Sequence, residues 1–109
     1  MATMATIGFA GADKPEDAFR PHSMEINKES FTIGRHGDFK TPYHHTSVSR
    51  LHCAIFEDGG SYKIRDLNSF SGTVVNGELI GTKERGLSDG DKISLGNHVV
   101  LVFKEWIKD

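Results

Sequence analysis

The chain has 109 residues, 37% of them apolar and 26% charged, with a formal net charge of −2. That length predicts one domain, able to bury roughly two-thirds of its unfolded surface without disulfide or metal staples, and the composition fits neither a disordered nor a membrane protein. The lack of a basic excess argues against nucleic acid as a partner, and the longest plainly apolar run, Val99 to Phe103, is far too short to span a bilayer.

Taken in chain order, strand-like runs are predicted at Ala5–Ala10, Ser23–Ile26, Phe31–Arg35, His52–Glu57, Tyr62–Asp66, Thr73–Asn76, Lys92–Leu95 and His98–Phe103. The opening Met-Ala-Thr-Met-Ala-Thr lacks the basic and apolar regions of a secretory signal, and the residues before Met4 read as a flexible tail. Gly11 to Pro21, with two prolines and mixed charge, reads as a surface loop. Asp58-Gly59-Gly60, Asn76-Gly77, Asp89-Gly90 and Gly96-Asn97 supply residues that tolerate the positive φ of tight hairpin turns. Lys92 to Leu95 alternates polar with apolar and should be half-buried, whereas Val99 to Phe103 is apolar on both faces and should lie in the interior. Regular short strands with such turns indicate an all-β sandwich or barrel.

Charge is uneven. Between Gly34 and Arg50 the cations Arg35, Lys40 and Arg50 face only Asp38, so this segment would steer an anion toward itself. The lone Cys53 has no internal partner for a disulfide and sits in an apolar run, which predicts a buried, reduced thiol and an intracellular setting, cytoplasmic or nuclear. The adjacent His44 and His45 make a poor metal site, because neighbours on a strand point to opposite faces and no Cys/His set at ligand spacing accompanies them.

The most informative stretch runs from Ser47 to Gly77: a Ser-Arg-x-His loop, Ser49-Arg50-Leu51-His52, and a Ser/Gly turn stand at opposite ends of two strand-like runs. A phosphorylated side chain carries about −1.5 to −2 charge and three acceptor oxygens, so a reader needs a guanidinium, a hydroxyl donor and backbone N–H groups converging from short loops. Arg35, Ser49 and Arg50 supply that chemistry. On residues alone, Arg35 is equally a partner for a sheet-end carboxylate, Ser49 a turn hydroxyl and Arg50 a solvated charge.

Four ordered motifs separate these readings: Gly34-Arg35, Ser49-Arg50-Leu51-His52, the run from Asp66 to Gly77 (DLNSFSGTVVNG) and the run from Leu87 to Gly96 (LSDGDKISLG). Together they resemble the forkhead-associated (FHA) domain, a reader of phosphothreonine peptides, most strongly over 23–103. The resemblance implies a β-sandwich of two twisted, antiparallel or mixed sheets with about eleven short strands, and binding loops at one end. It implies that Arg35 and Ser49 bind phosphate oxygens, that Arg50 adds a cationic contact, and that Gly34, His52 and Gly72 support the loops. Ser47 lies where the family reads the third residue after phosphothreonine. The implied protein is a non-enzymatic signalling module with no cofactor and no metal, monomeric as an isolated domain, whose partner is a phosphothreonine protein or peptide rather than nucleic acid or membrane.

Two positions depart from the pattern. Ser71 replaces the family's asparagine, whose side chain bonds the ligand backbone, and Phe70 replaces the polar residue before it. Serine has a shorter reach and one donor against the amide's two, so part of the peptide clamp is missing from the expected set. Phe70 is either an exposed aromatic anchor for a partner or a lid folded onto the core. The departures sustain an alternative, a phosphate-independent scaffold that docks a partner through another surface. A hydrolytic triad of Ser49, His52 and Asp66 is a weaker alternative, since no nucleophile elbow accompanies it.

Overall fold

The structure is a computed structural model that describes residues 2–10, 23–96 and 99–108. Eleven strands follow in order: β1 Ala2–Phe9, β2 Ser23–Glu25, β3 Ser30–Gly34, β4 Phe39–Lys40, β5 Cys53–Asp58, β6 Ser61–Asp66, β7 Thr73–Val75, β8 Glu78–Leu79, β9 Arg85–Gly86, β10 Lys92–Leu95 and β11 Val99–Lys108. Two sheets form, a six-stranded one in the order β2-β1-β11-β10-β7-β8 and a five-stranded one in the order β4-β3-β5-β6-β9. The pairs are antiparallel except β3 with β4, which is parallel, so the second sheet is mixed. No α-helix occurs among the described residues, and none is long and apolar enough to cross a membrane.

The period-2 pattern explains the layering. Ile7, Ile93, Leu95, Leu101 and Phe103 of the first sheet and Phe31, Ile33, Ile55 and Ile64 of the second are fully buried and meet in one core. Rings bridge the sheets: Phe9 with Phe39 at 5.0 Å between centroids, and Tyr62 with Phe103 at 5.6 Å. Cys53 is buried and free, and burial pushes its thiol well above the ordinary range.

Three expectations change. Residues 2 and 3 are no tail but the start of β1, with Ala2 opposite Lys108 and Thr3 opposite Ile107. Val99 to Phe103 is not interior on both faces: Val99, Leu101 and Phe103 are buried, while Val100 is exposed, because only one face of that sheet is covered. β4, β8 and β9, two residues each, join the eight predicted runs. The proposed loop from Gly11 to Pro21, together with Asn97 and His98, lies outside the described residues.

Candidate functional site

Three connections converge at one end of the sandwich: β3–β4, β4–β5 and β6–β7. The β3–β4 turn is closed by Asp38, which accepts hydrogen bonds from the Thr32 amide and hydroxyl, both 3.0 Å, and pairs with Lys28 at 2.8 Å. The Lys28 bond and the Thr32 amide hold the Asp38 carboxyl down at about 2. This turn delivers Gly34 and Arg35 to the end of β3.

Gly34 is where two backbones touch. A Cβ there would sit 2.3 Å from the Arg50 carbonyl oxygen and 2.8 Å from that of Ser49. Bare of a side chain, it lets the β4–β5 loop lie against β3, where the Arg35 amide donates to the Ser49 carbonyl (3.2 Å) and the His36 amide to the Arg50 carbonyl (2.9 Å). The Arg35 side chain then turns along the loop and donates from Nε to the Val48 carbonyl at 2.7 Å. That bond fixes the plane of the guanidinium and leaves both terminal nitrogens without a hydrogen bond among the described residues.

His52 holds the second seam. It is fully buried, its Nδ1 accepts from the Ser49 amide at 3.0 Å, and its Nε2 lies 2.8 Å from the Gly72 carbonyl. An Nδ1 that accepts requires the neutral ring with its proton on Nε2, which donates to Gly72. Burial pushes the His52 pKa below 6.5, against the pull of the Gly72 carbonyl and of Asp66. Both ring nitrogens are thus spent on backbone groups, so His52 is not hydrogen-bonded to the Ser49 hydroxyl as a triad would need.

The β6–β7 connection is shaped by Asp66. Its carboxylate accepts from the Ser69 amide at 2.8 Å, the Ser69 hydroxyl at 2.5 Å and the Thr73 hydroxyl at 2.6 Å, while the Ser69 hydroxyl accepts from the Gly72 amide at 2.9 Å. Burial raises the Asp66 carboxyl, but these donors outweigh it and hold the group below its usual value. Asn68 at φ 57° and Gly72 at φ 85° complete the turn.

This turn faces the β4–β5 loop. The Phe70 amide donates to the Ser49 hydroxyl oxygen at 2.9 Å, and the Ser71 hydroxyl donates to the Ser47 carbonyl at 2.7 Å. The Ser49 oxygen therefore receives a proton on one lone pair, leaving its own O–H to donate outward. Ser71, expected at the clamp position, ties the two loops together. Phe70 is 89% exposed, which excludes the lid over the core. Arg50 is exposed, and Ser47 is half-buried.

Gly96, which closes the late motif, contributes to this site although the motif assigned it no role there. In the β10–β11 turn, with φ at 64°, its absent Cβ would lie 2.3 Å from the Ser47 hydroxyl oxygen. It buttresses the β4–β5 loop from below. The sequence offers it as a turn glycine at the end of the late motif, and its contact with Ser47 crosses nearly half the chain. Among the described residues no cluster of His, Cys, Asp or Glu is arranged to hold a metal.

The FHA domain family model matches residues 31–96. The chain is 38% identical over 80 residues to the FHA domain-containing protein FhaA of Mycobacterium tuberculosis, covering 73% of this chain and 15% of that protein. A structure solved in a study of phosphothreonine-dependent FHA domain interactions superposes with a TM-score of 0.74 at 31% identity, covering 93% of this chain and 95% of that one. The FhaA FHA domain, crystallised with the intracellular domain of a second protein, gives a TM-score of 0.73 at 31% identity over 92% and 99% of the two chains. The chain spans between 15% and 54% of the length of the curated relatives it matches.

Proposed function

The chain belongs to the FHA domain family, and from that premise we propose that it binds phosphothreonine peptides and so assembles proteins in response to phosphorylation. The observation that carries this reading is the pair of unspent donors at the loop seam. The Arg35 guanidinium is braced through Nε with its terminal nitrogens unpaired among the described residues, and the Ser49 hydroxyl is oriented by the Phe70 amide. Donors held in place before the ligand arrives lose little freedom on binding, which favours a doubly charged phosphate over a neutral side chain. Arg50, exposed beside them, adds attraction that salt screens. Gly34, His52 and Gly72 set the spacing of the loops, and Ser71 clasps them.

Nothing in this role requires catalysis or a cofactor. The setting is inside the cell, with which the free Cys53 thiol is compatible. The test is calorimetric titration of matched threonine and phosphothreonine peptides into the wild type, Arg35→Ala and Ser49→Ala. Each variant removes a charge-assisted bond of about 1.5–3 kcal/mol, so a tenfold to hundredfold loss of phosphopeptide affinity is expected. Equal binding of the phosphorylated and plain peptides would transfer the reading to a phosphate-independent scaffold.

A further inference from the structure

Seven large apolar side chains are exposed among the described residues, and three of them, Tyr43, Leu51 and Phe70, lie in the two loops that carry Ser49, Arg50 and Ser71. Single exposed apolar residues need no explanation, but a group of them around an anion-binding seam does. Phe70 is the most exposed of all, at 89%, although its own amide is fixed 2.9 Å from the Ser49 hydroxyl oxygen. Its backbone is therefore pinned to a phosphate donor while its ring packs on no described aromatic neighbour. Leu51, 49% exposed, directly follows Arg50 and precedes the buried His52. The turn holding Phe70 is fixed by the Asp66 carboxylate through Ser69, so the ring stands on a rigid base.

We propose that Phe70, with Leu51, forms an apolar ledge beside the phosphate donors and selects phosphothreonine peptides that carry a large aliphatic or aromatic side chain near the phosphorylated residue. The inference rests on the phosphothreonine reading above. An extended peptide advances about 3.3 Å per residue, so a phosphothreonine seated on Ser49 carries its near neighbours past the ring. The side chain that meets the ledge lies within three positions of the phosphothreonine. A peptide with only small or charged neighbours leaves the ring wet, whereas an apolar neighbour removes both surfaces from water at no cost in loop ordering. The occupant is a peptide side chain rather than a separate partner, because the Phe70 amide is bonded to the Ser49 hydroxyl oxygen and Leu51 follows Ser49 and Arg50 directly in the chain.

The test uses an alanine-flanked phosphothreonine peptide and six derivatives with leucine placed singly at each of the three positions on either side. Binding is read by fluorescence anisotropy against the wild type, Phe70→Ala and Phe70→Leu. The wild type should prefer at least one leucine derivative over the alanine peptide by about fivefold. That ratio should fall below about twofold in Phe70→Ala and largely return in Phe70→Leu. Phosphopeptide binding without any leucine preference, or a preference that Phe70→Ala leaves intact, overturns this inference and spares the functional reading. Failure of the wild type to bind any of the seven overturns both.

Discussion

Replacing Gly34 by alanine isolates what the loop spacing contributes. The new methyl would stand 2.3 Å from the Arg50 carbonyl oxygen and 2.8 Å from both the Arg50 carbonyl carbon and the Ser49 carbonyl oxygen, and all three are backbone atoms. A methyl does not approach closer than 3.0 Å, so the β4–β5 loop must retreat by about 0.7 Å. The Arg35 amide bond to Ser49, already 3.2 Å long, would then exceed hydrogen-bonding distance. The retreat also moves the Ser49 hydroxyl away from the guanidinium, so that one phosphate can no longer satisfy both. Loss of one charge-assisted bond, about 1.5–3 kcal/mol, predicts a tenfold to hundredfold weaker phosphothreonine peptide complex. The overpacking should also lower stability by about 1–3 kcal/mol. Gly59→Ala separates the two effects: Gly59 lies in the β5–β6 turn at the far end of the sandwich, with φ at 61° and open space where a Cβ would go. Its left-handed backbone should make that variant about 1–2 kcal/mol less stable with affinity unchanged. Titration calorimetry and thermal denaturation on both variants give the answer. A folded Gly34→Ala with wild-type affinity, or a Gly59→Ala that loses as much, would refute the reasoning.

Ser71→Asn should tighten phosphothreonine peptide binding by roughly twofold to tenfold, because the amide has one donor for the Ser47 carbonyl and a second for the ligand, a net bond being worth about 0.5–1.5 kcal/mol. Ser71→Ala, which opens the clasp, should weaken binding several-fold; the opposite order in a side-by-side titration would show that the clasp is idle. Phosphothreonine should be preferred to phosphoserine in matched peptides, with about fourfold from burying one methyl and any further margin from fit; equal affinities would deny a methyl pocket. For pH, the His52 pKa is depressed, so its neutral form supports the fold fully above 6.5 and that support is lost as pH falls below 6.5 toward the folded-state value. Since phosphate takes its second proton near pH 6, affinity and melting temperature should both decline from pH 7 to about pH 5. A His52→Gln variant should show a flatter melting curve over that interval, and an identical slope would remove His52 from the account.

The parts of the fold that could be read from the sequence are those whose side chains alternate over four or more residues between turn formers. β10 is the clearest, with Ile93 and Leu95 buried and Lys92 exposed. Asn76 and Gly77, both at positive φ, close the β7–β8 hairpin where the dipeptide places it. The two-residue strand β8 beyond that turn has no periodicity to detect, since Glu78 and Leu79 are both exposed. β4 and β9 are as short and show no period either, although Phe39 of β4 is buried. β11 runs past its apolar stretch because Lys104 to Lys108 pair with β1 through backbone bonds that side-chain character does not announce. At the site, Gly34, Ser49, His52 and the Asp66 turn were legible as motif residues, and the structure brings them to one seam. The bond from Arg35 to Val48, the clasp from Ser71 to Ser47 and the contact of Gly96 with Ser47 depend on how three loops are stacked. No spacing rule encodes that stacking.

The ladder between β1 and β11 has a practical consequence. Gly96, one residue beyond β10, touches the β4–β5 loop, and β11 leaves that end at Val99 and runs for ten residues to Lys108, a path of roughly 34 Å. There Lys108 lies beside Ala2. A tether attached at either of these positions therefore emerges from the base of the sandwich with the loops directed away from it. Immobilising the domain on a sensor surface through either strand end should keep the proposed ligand face unobstructed. A short linker joining residues 2 and 108 would close the chain into a ring without crossing the recognition end. Such a ring could be reopened at the Gly59-Gly60 turn to give a permuted reader with new ends at the base.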